Sequence, residues 1–433
     1  MPRFEIISPV VKRDQFLRNL NTSAPATFKV GFDPEVFVRD LASGRVIPGF
    51  EIRPGRKLSP AAALGPTDVY PDGFALEFAT EPRTCLAFAT DATQTGLRLA
   101  ARAAEKVGGE LSLVDVVHIP NLRDYRPQQI ALGCSPSENA YDTRAELPED
   151  PYELPFRTIG CHIHFGRREA TSEALYPEAV QPIVQALDFV VGPVMTSLLA
   201  GLEDPLRRTV YGRAGEFRYK PYGFEYRVPS AAIMWHPVVF NIVVNLARNV
   251  VALMQVHHTN VHLYGTDTTS AAVFASLRTI VADGGLLRLP DSDTIREFSD
   301  TVVNHLDVAA AHAHLKENQE LYEHLLGSIL SGINRAYPVR VGHHENMPLS
   351  VPSNSQLFEF VLGGAKRGIT CTHQGLLDAW RINPDQRRAY PDPDATLATW
   401  RNYMEHANWP EGCVTYSMPL IKRAEASVAA SRS

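Results

Sequence analysis

Residues 158–166 read TIGCHIHFG, and two histidines spaced i, i+2 inside an apolar, strand-like run set the terms for the rest of the chain. Residues two apart in a strand point to the same face. His162 and His164 therefore share one side, while Cys161, Ile163 and Phe165 form the other. The anomaly recurs on both flanks. VGFDPEVFV at 30–38 puts Asp33 and Glu35 in that relation, and YGFEYRVPS at 222–230 does the same for Glu225 and Arg227. In FALEFA at 74–79, Phe74, Leu76 and Phe78 face one way, and Ala75, Glu77 and Ala79 the other. Two alanines beside a carboxylate leave room for a ligand.

Gathering carboxylates and imidazoles on one sheet face is unfavourable unless they are hydrated, paired or bound to cations. Burying even a neutral polar group unpaired costs on the order of 2–7 kcal/mol. Divalent cations remove that cost. Magnesium takes oxygen ligands and keeps positions open for waters and phosphates, and manganese accepts a histidine more readily. Taken singly, Asp33-Pro34-Glu35 also fits an Asx turn, His-x-His a structural or zinc site, and Glu-x-Arg a solvated ion pair. Their joint occurrence inside apolar strands points to one shared site.

The chain has 433 residues, 48 acidic against 42 basic side chains and a formal charge of −6, with 45% apolar and 21% charged residues. This is the composition of a globular protein. It argues against a disordered chain and against one whose main task is gripping nucleic acid. The five cysteines include no CxxC pair, so neither a disulfide framework nor a cysteine zinc knuckle is expected, and a reduced, cytoplasmic setting is. No run of about 18 apolar residues suggests a membrane span.

Strands are expected at 28–39, broken or bulged at Pro34, at 74–79, 110–119, 157–166 and 223–229. Helices are expected at 89–107, capped by Gly108, at 176–200 and from 237 onward. Helical spacing follows at 292–306 and 309–333. The expected class is α+β: an antiparallel sheet backed by helices in residues 1–270, and a mostly helical C-terminal region in residues 271–433. A basic cluster, Arg207, Arg208, Arg213, Arg218 and Lys220, precedes the last strand. It reads either as a surface loop pairing with Glu203, Asp204 and Glu216 or as a phosphate clamp, since arginine forks match phosphate oxygens. Its closeness to Glu225 favours the clamp.

With GFDPE, PDGFALE, GCHIHFG, YGRAGEFRYKPYGFEYR and the following PSAA in this order, the chain resembles the glutamine synthetase superfamily, most closely its phage-type carboxylate–amine ligases of the second type. The resemblance implies an antiparallel sheet whose concave face binds ATP and magnesium or manganese ions. It implies that Asp33 and Glu35 take the place of the family's Glu-x-Glu metal ligands, that Glu77 is a further ligand of the first metal with Asp72 a candidate for that metal's third carboxylate, that His162 is a ligand of the second metal, and that Glu225 is a metal ligand. By the same resemblance His164 contacts ATP phosphates, Arg213 and Arg218 hold the γ-phosphate with Lys220 beside them, and Arg227 acts on the reacting groups. Aspartate at 33 departs from the family's first glutamate and shortens the reach by one methylene. The reaction implied is amide formation through an acyl phosphate, from a small-molecule or peptide carboxylate and an amine. No nucleic-acid or membrane partner is expected, and superfamily members often form homo-oligomers.

Three other readings stand beside it. His162-x-His164 with Glu169 matches a cupin-like metalloenzyme motif, but no second motif follows, and Asp33, Glu35 and Glu225 then have no role. A guanidino-type phosphotransferase would use a related sheet without making an amide. A non-catalytic, virion-associated binding protein would keep the fold without turnover. Of the remaining candidates, His343, His344 and Glu345 read as a surface loop, His312 and His314 diverge on a helix, Cys161 falls on the core side of its strand, and Cys134 lies in a loop expected to border the substrate.

Overall fold

The computed structural model describes residues 5–7, 28–53, 68–80, 82, 86–130, 137–142, 148, 150–167, 177–264, 279–282, 285–327 and 354–382. Their strands are β1 (Glu5–Ile7), β2 (Phe28–Asp40), β3 (Val46–Ile47), β4 (Tyr70–Asp72), β5 (Ala75–Glu77), β6 (Gly109–Ser112), β7 (Val116–His118), β8 (Glu138–Asn139), β9 (Phe156–Thr158), β10 (Cys161–Arg167), β11 (Glu216–Lys220), β12 (Gly223–Tyr226), β13 (Thr279–Ala282) and β14 (Gly285–Arg288). The longer helices are α1 (Leu86–Glu105), α2 (Pro177–Leu198), α3 (Pro237–Tyr264), α4 (Ser292–Ser299), α5 (Val308–Glu317), α6 (Gln319–Gly327), α7 (Asn354–Gly363) and α8 (His373–Ala379). Helices and antiparallel sheet are mixed in one α+β arrangement.

The central sheet runs in the order β4-β5-β2-β10-β12-β11-β8, with β3 and β6 also paired to β2. Every pairing is antiparallel. Alternation sorts its side chains. Phe28, Val30, Phe32, Cys161, Ile163, Phe165, Phe224 and Tyr226 are buried in the core, where α2 and α3 lie side by side and Phe32 meets Phe240 of α3 edge-on at 5.0 Å. α2 contains a stretch, Ala179–Leu198, long and apolar enough to cross a membrane, but 89% of that window is buried inside the protein, as befits a central core helix.

β2 is one continuous strand through Pro34, not broken or bulged there. Proline lacks an N–H to donate to a ladder. It is accommodated because the segment opposite, Phe78–Thr80, is irregular, and the Pro34 carbonyl still accepts the Phe78 N–H at 3.2 Å. The expected strands at 110–119 and 157–166 are each divided in two. Gly108, at φ +71°, ends the turn after α1 as expected of a C-cap glycine.

Residues beyond 270 differ more from expectation. β13 and β14 form a hairpin, and β14 pairs with β1, so this region contributes strands as well as helices. The helical stretch from 309 is two helices, α5 and α6, and the one from 292 changes from α4 to a π-helical turn over Asp300–Asn304. α4, α5 and α7 pack on α2. α8 docks on β6 and on the turn Ala231–Trp235: the Leu111 N–H donates to His373 Nδ1 at 3.1 Å, and the Trp380 indole donates to the Met234 carbonyl at 2.7 Å.

α1 crosses the sheet so closely that a Cβ on Gly96 would come within 2.1 Å of the Phe78 ring. Gly96→Ala should lower stability by about 1–3 kcal/mol through overpacking, despite the gain in helix propensity of roughly 1 kcal/mol. Denaturant unfolding measures the net sign.

Candidate active site

β10 is the axis of the site. Its register sets His162 opposite Asp33 of β2 and His164 opposite Glu225 of β12, and β11 sets Arg218 opposite Glu225 from the far side. Opposed residues of adjacent strands share a face with Cβ atoms roughly 4.5–5.5 Å apart. His162 Nδ1 lies 3.1 Å from Asp33 Oδ1 and 3.3 Å from Glu225 Oε1, and His164 Nε2 lies 2.9 Å from Asp33 Oδ2. Lys220 Nζ is 2.8 Å from Glu225 Oε2, Arg218 Nη1 is 3.6 Å from that oxygen, and Arg227 Nε is 3.5 Å from Oε1.

Proximity here is not the same as hydrogen bonding. Asp33 Oδ1, His162 Nδ1, His164 Nε2 and Glu225 Oε2 are shielded from water and make no hydrogen bond of acceptable geometry. Ligand atoms of Asp33, His164 and Glu225 all lie within 4.8 Å of one another. Buried polar atoms without hydrogen bonds call for another partner, and a set of two carboxylates and an imidazole fits a magnesium or manganese ion. Burial by itself would raise the Asp33 carboxyl, but His164 and His162 beside it prevail and hold it well below the usual carboxylate range. Burial works to lower His164, yet Asp33 carries it above the ordinary imidazole value.

A second group forms beside the first. Glu77 of β5 is opposite Glu35 of β2, and Tyr70 of β4 is opposite Glu77. Oxygens of Glu35, Asp72 and Glu77 lie within 4.8 Å of one another. The Tyr70 hydroxyl donates to Glu77 Oε1 at 2.7 Å, and the Gly160 N–H donates to Glu35 Oε2 at 2.7 Å. Burial, followed by the charges of Asp72 and Glu77, pushes the Glu35 carboxyl well above its ordinary value. Three crowded carboxylates with two of them 4% exposed suit a hard cation. Asp33 and Glu35, neighbours on one strand face, thus enter different groups.

The basic cluster divides. Arg207 is fully buried and donates to the carbonyls of Ile159 at 2.9 Å, Val228 at 3.1 Å and Pro229 at 3.1 Å. Arg208 donates to the Val228 carbonyl at 2.9 Å and pairs, like Arg207, with Glu203. These two hold the chain together. Arg218 and Lys220 stand on strand β11 rather than in a loop and face Glu225, while Arg213 is half-buried ahead of β11, outside the ion pairs formed around Glu225 among the described residues. Arg227 is fully buried and donates to the Tyr211 hydroxyl at 2.6 Å, and that hydroxyl also meets His162 Nε2.

Residues 151–317 match the family described as Phage phiEco32-like COOH.NH2 ligase-type 2. The match supports the resemblance carried by the motifs, and with it a carboxylate–amine ligase in general, an enzyme that forms C–N bonds. No curated protein matches the chain. The matched segment carries His162, His164, Arg213, Arg218, Lys220, Glu225 and Arg227, whereas Asp33, Glu35 and Glu77 come to the face from outside it.

The matched segment also holds what braces the face from behind. Asp188 of α2 accepts the Tyr226 hydroxyl at 2.7 Å, the Tyr141 hydroxyl at 3.0 Å and the Gly215 N–H at 2.6 Å. Tyr226 stands between Glu225 and Arg227, and Gly215, at φ +84°, lies between Arg213 and β11. One carboxylate therefore ties the strand of the late Glu-x-Arg pair to the turn that launches Arg218 and Lys220.

Sequence reading missed Tyr211, Tyr222 and Tyr70. Tyr70 had a weak signal, two residues before Asp72. Tyr222, whose hydroxyl is 2.6 Å from His164 Nδ1, and Tyr211 reach the site from turns where periodicity says nothing. Cys161 is buried in the core. His312 contacts Ser197 Oγ at 2.9 Å and His314 the Tyr322 hydroxyl at 3.1 Å, each a packing role. Cys134, Glu169, His343, His344 and Glu345 lie outside the described residues.

Burial pushes the Asp188 carboxyl up to about 7 against its three donated bonds. Between the unfolded-chain value of about 3.9 and that value the native state binds more protons than the unfolded one. Its contribution to stability is therefore present in full below about pH 4 and lost as pH rises towards 7, at up to about 1.4 kcal/mol per pH unit. Asp188→Asn should flatten this part of the stability profile between about pH 4 and about pH 7, measured by thermal unfolding in chelator.

Proposed function

We propose that the protein is an ATP-dependent ligase that joins a carboxylate to an amine through an acyl phosphate, on a sheet face of the glutamine synthetase kind. One observation carries the reading: two cation-ready groups, Asp33–His164–Glu225 and Glu35–Asp72–Glu77, share a face with Arg218, Lys220 and Arg227. The family match supports the ligase part.

A carboxylate does not react with an amine in water, because its oxygen is a poor leaving group. In the proposed reaction the substrate carboxylate oxygen attacks the γ-phosphorus of ATP. The bond from that phosphorus to the bridging oxygen breaks, and ADP leaves. The amine nitrogen then adds to the acyl carbon, the carbon–oxygen bond to phosphate breaks, and inorganic phosphate and a proton are released with the amide. Magnesium or manganese, when bound, would neutralise the phosphate oxygens.

The chain's own residues supply the rest. Asp33, His164 and Glu225 would hold one cation, with His162 turned by Tyr211 towards the same carboxylates, and Glu35, Asp72 and Glu77 would hold another. Arg218 and Lys220 pair with Glu225, and a triphosphate entering beside them would offer both a further anionic partner. With Arg213 they would stabilise charge spreading over the transferred phosphoryl group. Arg227, fixed by Tyr211 and fully buried, would meet the acyl carbonyl or the departing phosphate. The substrates are a small-molecule or peptide carboxylate and an amine.

Incubation with ATP, magnesium and pooled acids and amines should release inorganic phosphate only when one acid and one amine are both present. A phosphorylated amine or guanidine without phosphate release would identify a phosphotransferase instead. Glu225→Gln should lower ADP formation at least about 100-fold with an unchanged unfolding transition, and normal turnover in that variant would refute the assignment. Manganese titration followed by electron paramagnetic resonance should show Glu77→Gln losing one bound ion and keeping the other.

A further inference from the structure

Four residues beyond Glu35 on the same strand, β2 leads into a cavity of about 320 Å³. That volume is within the range of small-molecule sites, roughly 300–1,000 Å³. Its floor is apolar: Phe74 and Val117 are buried, and Tyr125 meets the Phe74 ring edge-on at 5.1 Å. Its polar lining has one sign. Arg39, Arg45 and His118 border it, and among the described residues no carboxylate does.

Arg39 is the most committed of the three. It is half-buried, and its Nε is shielded from water without a hydrogen-bond partner. Glu110 of β6 is its register partner, yet no ion pair joins the two among the described residues. Asp40, next in sequence, is occupied in the turn, where it accepts from the Ser43 N–H and hydroxyl at 2.6 Å each. Arg45 and His118 are exposed at the mouth.

We infer that this cavity is a binding site for a small organic anion with an apolar or aromatic body. The body would pack on the apolar floor beside Phe74, Val117 and Tyr125, and the anionic group would take charge-assisted bonds from Arg39 and Arg45. By strand alternation Arg39 shares a face with Glu35, but four residues of strand put their Cα atoms about 13 Å apart. An anion seated on Arg39 is therefore held away from the carboxylate groups, at a separate site. The inference does not depend on the ligase reading, because it concerns binding and not turnover.

The test uses the full chain and two isosteric probes, 4-phenylbutyrate and its neutral amide, followed by ligand-observed nuclear magnetic resonance. The acid should bind saturably, and the amide at least about tenfold more weakly, the equivalent of one charge-assisted bond. Arg39→Gln should bring the acid down to the amide's level, with Arg45→Gln as the second variant if Arg39→Gln alters the unfolding transition. Lys220→Gln should leave the acid's binding unchanged. Equal binding of acid and amide, acid binding indifferent to both arginine variants, or its loss in Lys220→Gln would each overturn the assignment.

Discussion

The site depends on the register of one strand. β10 is paired on both sides, and its two histidines gain opposite numbers, Asp33 and Glu225, only because the pairing is in step with both neighbours. A slip by one residue would turn His162 and His164 towards α2 and α3 and expose Cys161, Ile163 and Phe165. Burial of that apolar face beneath two long helices specifies the register, so the packing that stabilises the protein also assembles its chemistry.

The face so assembled is not balanced by its own charges. Cationic groups crowd Glu225, while three carboxylates crowd together at the neighbouring position, and several donor atoms near Asp33 are close without hydrogen-bonding. Proteins retain such arrangements where a ligand completes them. Asp188, behind the sheet, shows the contrasting case of a buried carboxylate whose donors come from the chain itself.

Much of this was legible in the sequence, for a definite reason. A polar residue at i and i+2 inside an apolar strand can be recognised without knowing the partner strand, so Asp33, Glu35, His162, His164, Glu225, Arg227 and Glu77 could be named in advance. The partition of Asp33 and Glu35 between two groups could not, because it depends on which strands lie beside β2 at each position. Nor could the division of the basic cluster, since Arg207 and Arg208 differ from Arg218 and Lys220 only in what surrounds them: backbone carbonyls for the first two, Glu225 for the others.

By itself, the amino-acid order determined the two-faced strands, the long apolar helices that cover them and the residue types available for chemistry, because these follow from local periodicity and composition. Tertiary structure alone decided which carboxylate meets which imidazole, that Tyr211 and Tyr222 reach the histidines from turns, that β14 pairs with β1, and that Arg39 borders a cavity beside Arg45 and His118. Those are contacts between segments tens to hundreds of residues apart. Their geometry is set by strand register and helix packing, which no short stretch of sequence encodes.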